Sequence, residues 1–194
     1  MDTQPSPSEG VDLPGASGPT PPATARLVGL LLTALGGLLM CVGALMPWVR
    51  TSLEGAPADF SPTYFGIDIP DGKVVLVLGV IIIAALIVSR LSKAASLARS
   101  ASLVIIVAAF AGVGITTVTL ITADSRFHDS AVDDIIEQID SPTDEMRAQA
   151  DELIDLQLAS GPFAAIGGGI LAVVGGAFTL AWANARAREP DLPS

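Results

Sequence analysis

The sequence predicts an all-α membrane protein: a bundle of four transmembrane helices, with a small extracytoplasmic β-hairpin and an extracytoplasmic amphipathic helical cap. Three observations predict it. First, hydrophobic residues make up 51% of the 194-residue chain, and they gather into four runs, 27–48, 74–89, 102–122 and 162–184, that hold no Asp, Glu, Lys, Arg or His. About 20 apolar residues at 1.5 Å each cross a hydrocarbon core of about 30 Å. Second, much of the formal net charge of −10 lies between the last two runs, where 123–161 carries eleven acids against Arg126, Arg147 and His128. Third, the loop between the second and third runs, SRLSKAASLARS, is basic and has no acid.

Residues 1–25 are rich in Pro, Gly, Ser and Thr. Such a segment cannot bury enough apolar surface to offset its ordering entropy, so a disordered cytoplasmic tail is expected. The run 27–48 is read as a span and not as a cleaved signal peptide. It is too long for a signal core, and its leader has a single base, Arg26, at the very end. Cys41, the only cysteine, lies in this span. One thiol allows no intrachain disulfide and excludes two-cysteine redox chemistry; it is read as a small apolar filler. Pro47 and Trp48 are expected at the outer membrane boundary, where Trp prefers to sit.

In the loop 49–73, WVRTSLE and TYFGIDI are β-prone runs separated by the turn-rich GAPADFSP, which predicts an antiparallel hairpin. Asp68 and Asp71 are too few ligands for a calcium loop, so they are assigned to turn chemistry before the second span. That span, 74–89, is the shortest. The membrane domain as a whole is expected over 26–186, with an inner loop at 90–101 and a short cytoplasmic tail at 187–194.

Four spans put both ends on one side, and Lys and Arg near the span ends decide which. Arg26, Arg90, Lys93, Arg99, Arg186 and Arg188 fall on one side, against Arg50, Lys73, Arg126 and Arg147 on the other. The acid-free basic loop places the first set in the cytoplasm and the loops 49–73 and 123–161 outside.

The acidic loop has helical periodicity. Val132, Ile135, Ile136 and Ile139 follow the i, i+3, i+4, i+7 rule. Ser141, Pro142, Asp144 and Glu145 then suit the start of a second helix, predicted from Pro142 to about Ala159. Met146, Ala150, Leu153 and Ile154 form its apolar side, with Asp144, Asp151, Glu152 and Asp155 opposite. Three covers are open for the apolar stripes: each other and the first outer loop, a partner protein, or lipid. Acidic polar faces disfavour the lipid surface, because interfacial helices normally carry Lys and Arg.

Within the spans, small residues recur: Gly29, Gly36 and Gly43 in the first, Ala108, Gly112 and Thr116 in the third, Gly168, Ala172 and Gly176 in the fourth. Such stripes let helices approach where lipid removes the hydrophobic drive, and the first and fourth spans are the expected close pair. Thr116, Thr119 and Thr122 share one face of the third span and are assigned to packing rather than to a polar path.

LMPWV closing the first span and GIDIPDGKVVLVLG opening the second resemble small four-span integral membrane proteins of actinobacteria. Those show a Pro-Trp at the end of helix one and a Gly-x-Asp…Asp-Gly turn before helix two. The resemblance covers roughly residues 27 to 90 and implies a topology but no activity. The plan of four spans and two outer loops is similar to claudins and tetraspanins by architecture alone, since their cysteine patterns are absent.

A search for chemistry returns little. His128 beside Asp124, Asp129, Asp133 and Asp134 is a poor metal site, having one imidazole among solvated carboxylates. No nucleophile–base pair or phosphate-cradling loop is visible, and no basic patch suggests nucleic acid. The spans hold no ionisable residue, which ion-coupled transporters usually need. The expectation is therefore no catalytic residue, no cofactor and no metal. Membrane lipid and either a larger membrane complex or a homo-oligomer are the expected partners. The surfaces expected to meet a partner are Asp144, Asp151, Glu152 and Asp155 on the cap and Gly168, Ala172 and Gly176 on the fourth span. The expected function is that of a non-enzymatic integral membrane accessory or scaffold protein docking to a larger envelope or respiratory complex through these surfaces; the alternative is a small homo-oligomeric transporter or channel.

Overall fold

The charge-free runs become four long helices in the computed structural model, which describes residues 23–53, 63–92, 94–137, 143, 145 and 154–186. The chain order is α1 (Ala23–Leu45), β1 (Pro47–Leu53), β2 (Thr63–Phe65), a single 3-10 turn (Gly66–Asp68), α2 (Pro70–Leu91), α3 (Ala95–Ile121), α4 (Ala123–Ile136), β3 (Ile154–Leu158) and α5 (Ser160–Arg186). Within α1, α2, α3 and α5 lie apolar segments of 22 to 26 residues, each long enough to cross a membrane. The chain is a multi-pass membrane protein. Of the expected tail, residues 1–22 lie outside the described residues, and the helix begins at Ala23.

Local chemistry explains the helix ends. Pro47 disfavours helical backbone at Met46, so α1 stops at Leu45. The second span is longer than the run 74–89 because α2 begins at Pro70, whose missing N–H costs nothing at a first helical position. Asp71 follows in that first turn, where the dipole favours an acid. The break between α3 and α4 is a single residue. Thr122 leaves helical geometry (φ −101°, ψ 6°), yet its N–H still donates to Val118 O at 3.0 Å and its carbonyl accepts from Arg126 N–H at 3.0 Å.

The helices run up, down, up and down, with α1 against α2, α2 against α3, α3 against α5, and α5 back against α1. Met40, Val75, Ile82 and Ile105 fill the centre with no exposed surface. Large apolar residues point the other way: Leu31, Val77, Val107 and Phe110 are each more than half exposed, a surface that suits acyl chains.

At one end of the bundle the hairpin expected from the sequence becomes a three-stranded antiparallel sheet of order β2-β1-β3. The second arm is shorter than TYFGIDI, because the chain turns into the 3-10 segment at Gly66. The third strand corrects the helix expected over Pro142 to Ala159. Its last part, Ile154–Leu158, is β3, in register with β1 from Val49↔Leu158 to Leu53↔Ile154. The physical reason is pairing. The run IDLQL alternates apolar and polar residues, as a strand requires, and its backbone pairs with the otherwise open edge of β1. Residues 138–142, 144 and 146–153, with Ile139, Met146, Ala150 and Leu153, lie outside the described residues.

Candidate functional site

The sheet, the 3-10 turn and α4 together make a cap on one end of the bundle. Its anchor is Trp48. The register between β1 and β2 slips between Pro47 and Val49, a bulge that sets Trp48 apart from the ladder. The side chain turns down into the bundle, 1% exposed, and Nε1–H donates to Gly43 O at 2.9 Å. Trp48, expected at the outer membrane boundary, is enclosed by protein, because glycines clear the space around it. A Cβ at Gly161 would lie 2.7 Å from Trp48 Cδ1 and 2.6 Å from Pro47 O, and a Cβ at Gly66 would strike the indole nitrogen.

The α4 helix lays Phe127, Ala131, Val132 and Ile136 inward, each under 9% exposed, so two of the four residues of the expected stripe are seen buried. The side chain of Ile135 and all of Ile139 lie outside the described residues. The cover for this stripe is intramolecular: α4 packs on β1, β3 and the end of α3, and Phe127 meets Tyr64 of β2 with ring centroids 5.9 Å apart. Asp133, Glu137 and Glu145 stay exposed on the same cap.

A polar node ties the cap to the bundle. Asp71 Oδ2, at the start of α2, accepts from Thr119 Oγ1 at 2.8 Å and from Arg126 Nη1 at 2.7 Å. Turn chemistry holds for Asp68, whose Oδ2 accepts from Phe65 N–H at 3.3 Å, but Asp71 bridges three helices instead. The missed signal was topological. In an up-down bundle the first turn of α2 and the last turn of α3 meet at one end, so an acid there faces whatever polar groups close α3. Thr116, one turn below Thr119, donates to Gly112 O at 2.8 Å and is fully buried, and Thr122 donates to Val118 O.

The node predicts unequal couplings. Arg126 is 53% exposed, and water screens such a pair to about 0–1 kcal/mol. Thr119 is 3% exposed, and a hydroxyl bonded to a charged partner is worth about 1.5–3 kcal/mol. Double-mutant cycles on melting should give a larger coupling for Asp71→Asn with Thr119→Val than for Asp71→Asn with Arg126→Gln. The reverse order would mean that the exposed ion pair holds the node.

The residues expected to meet a partner fall in two places. Asp144, Asp151 and Glu152 lie outside the described residues; Asp155 sits in β3, its backbone opposite Ser52, with its side chain outside the described ones. Gly168, Ala172 and Gly176 are buried within the chain. A Cβ at Gly168 would come within 2.6 Å of Gly36 O and 2.8 Å of Met40 N, so this face is occupied by α1. Gly176 belongs to a different contact, against Ile105 and Ile106 of α3. The α1–α5 seam continues instead through Gly175, which takes Thr33, and through Gly161 and Ala165, which take Gly43. Cys41 packs on α2, its thiol 3.9 Å from Leu76 O.

Among the described residues no group of three His, Cys, Asp or Glu could hold a metal ion. His128 is partly buried on α4; the side chains of Asp124, Asp129 and Asp134 lie outside the described ones. Compared with protein-family models and with the curated proteins, the sequence matches none.

Proposed function

We propose that this protein is a non-enzymatic accessory or scaffold of the plasma membrane that docks to a larger envelope or respiratory complex through its acidic cap. The observation that carries the reading is the division of labour along the chain. The bundle presents apolar surface outward, while one end carries a folded cap on which Asp133, Glu137 and Glu145 are exposed, in a stretch of sequence, 123–161, that holds eleven acids. That cap has its own anchor in Trp48 and its own node at Asp71, so it can offer charge on a fixed surface. The small-residue faces at Gly168, Ala172 and Gly176 are engaged by α1 and α3, so docking falls to the cap. We place the cap outside the cell, on the basic bias of the other end.

Co-purification in mild detergent tests the role. A larger membrane protein should be retained stoichiometrically by the wild type and lost, most visibly at low salt, by a variant with Asp151→Asn, Glu152→Gln and Asp155→Asn. A homo-oligomer that conducts ions in vesicles would replace this reading with a channel. Sidedness has its own measurement. In a Cys41→Ser background, Glu137→Cys should react with an impermeant thiol reagent on intact cells and Ser92→Cys should not. Labelling of Ser92→Cys alone would invert the assignment.

A further inference from the structure

The end of the bundle away from the sheet collects the starts of α1 and α3 and the ends of α2 and α5. A shallow cleft, partly open to solvent, lies between them, with Arg26, Ser89, Arg90, Ser102, Thr179 and Trp182 among its lining residues. Its floor is polar: Ser102 and Thr179, 1% and 8% exposed, are hydrogen-bonded across α3 and α5 at 3.2 Å. The Arg26 guanidinium is set 4.2 Å over the Trp182 ring centroid, where the ring face holds a cation in place. Arg90 is exposed at the rim. Arg99 follows the lining residue Ala98, and its Nε is buried with no hydrogen-bond partner among the described residues.

Among the described residues the charge here is one-sided. The stretches 23–35, 85–92, 94–105 and 176–186 contain Arg26, Arg90, Arg99 and Arg186, and neither Asp nor Glu. Guanidinium groups match phosphate oxygens with paired N–H donors, and basic pockets between spans at this depth suit phospholipid headgroups. The charge-free runs begin or end within one residue of Arg26 and Arg90, so a phosphate in the cleft sits level with the membrane surface. Leu27 and Leu31, 57% and 60% exposed, lie just below for acyl chains.

We propose that this cleft binds a phosphate anion, presented either by the headgroup of an anionic phospholipid or as free inorganic phosphate. The test uses the full chain in mild detergent, with melting followed during titration with phosphatidylglycerol, phosphatidylcholine or inorganic phosphate. Phosphatidylglycerol should raise the melting temperature with concentration, and phosphatidylcholine should not. Each arginine removed should weaken binding about fivefold. Arg90→Gln, at an exposed position, tests this without disturbing the bundle, and Arg90→Lys should restore most of the affinity. Arg50→Gln with Lys73→Gln at the other end should leave binding unchanged. The same Arg90 dependence with inorganic phosphate would assign the cleft to the free anion. The proposal is overturned if neither phosphate source binds, if phosphatidylcholine acts as well as phosphatidylglycerol, if Arg90→Gln binds like the wild type, or if the Arg50 and Lys73 changes weaken binding equally.

Discussion

Gly36→Leu should lower the melting temperature in detergent by several degrees, where Gly114→Leu should not. A Cβ at Gly36 would stand 2.5 Å from both Ala172 N and Gly168 O and 2.9 Å from Ala172 Cα. All three are backbone atoms, so no side chain can swing aside; α1 and α5 must separate. Overpacking of this kind costs typically about 1–3 kcal/mol, and a backbone obstacle puts it at the upper end. About 3 kcal/mol corresponds to about 6–12 °C for a chain of this size. Helix propensity acts in the opposite direction, since Leu is better than Gly by somewhat under about 1 kcal/mol in a helix interior. Gly114→Leu isolates that gain: nothing lies within 4 Å of its Cβ position, so it should be neutral or slightly stabilising. If Gly36→Leu melts with the wild type, the α1–α5 seam is not the contact described here.

Trp48→Ala should be the most damaging change in the cap. It removes a side chain that is 1% exposed and leaves a cavity beneath β1, a loss of about 3–5 kcal/mol for an aromatic truncated to alanine. Trp48→Phe keeps most of the apolar volume and removes only the donor to Gly43 O. Its cost should stay near about 1 kcal/mol, because that carbonyl also receives Met46 N–H at 3.3 Å. The readouts are melting and limited proteolysis of the 123–161 segment. Fluorescence adds an independent check, as Trp48 and Trp182 are the only tryptophans. In a Trp182→Phe background the remaining emission should be blue-shifted and shielded from acrylamide. Emission from Trp48 that acrylamide quenches freely would place the ring at the surface and remove the anchor.

How far the sequence announced this fold depends on the distance over which each signal acts. The spans were legible because absence of charge over some 20 residues is a local property. Their ends were less so. Asp71 and Lys73 made α2 look shorter than it is, although Pro70 and an acid in the first turn are themselves a helix start. The periodicity of Val132 and Ile136 gave α4 correctly for the same local reason. In contrast, β3 was hidden. ELIDLQLASG satisfies both a helical and an alternating pattern, and the strand that decides between them lies about a hundred residues earlier. The Asp71 node was hidden likewise, since Thr119 and Arg126 are 48 and 55 residues away. The glycines of α1 were legible as a stripe, but not which α5 residues they meet: Gly175 takes the place expected of Gly176, which turns to α3.

The central place of β1 carries a consequence for biosynthesis. One edge is met by β2 about ten residues after β1 ends, but the other waits for β3, which is made just before the last helix. At about 5–20 residues per second, the ribosome needs about 5–20 s to travel from Leu53 to Ile154. Through that interval the nascent chain holds an unpaired strand edge beside a bare glycine face on α1, both waiting for the final segment. An open edge of that kind invites pairing with other chains. A chain that ends before residue 154 therefore lacks the cover for both of these surfaces at once.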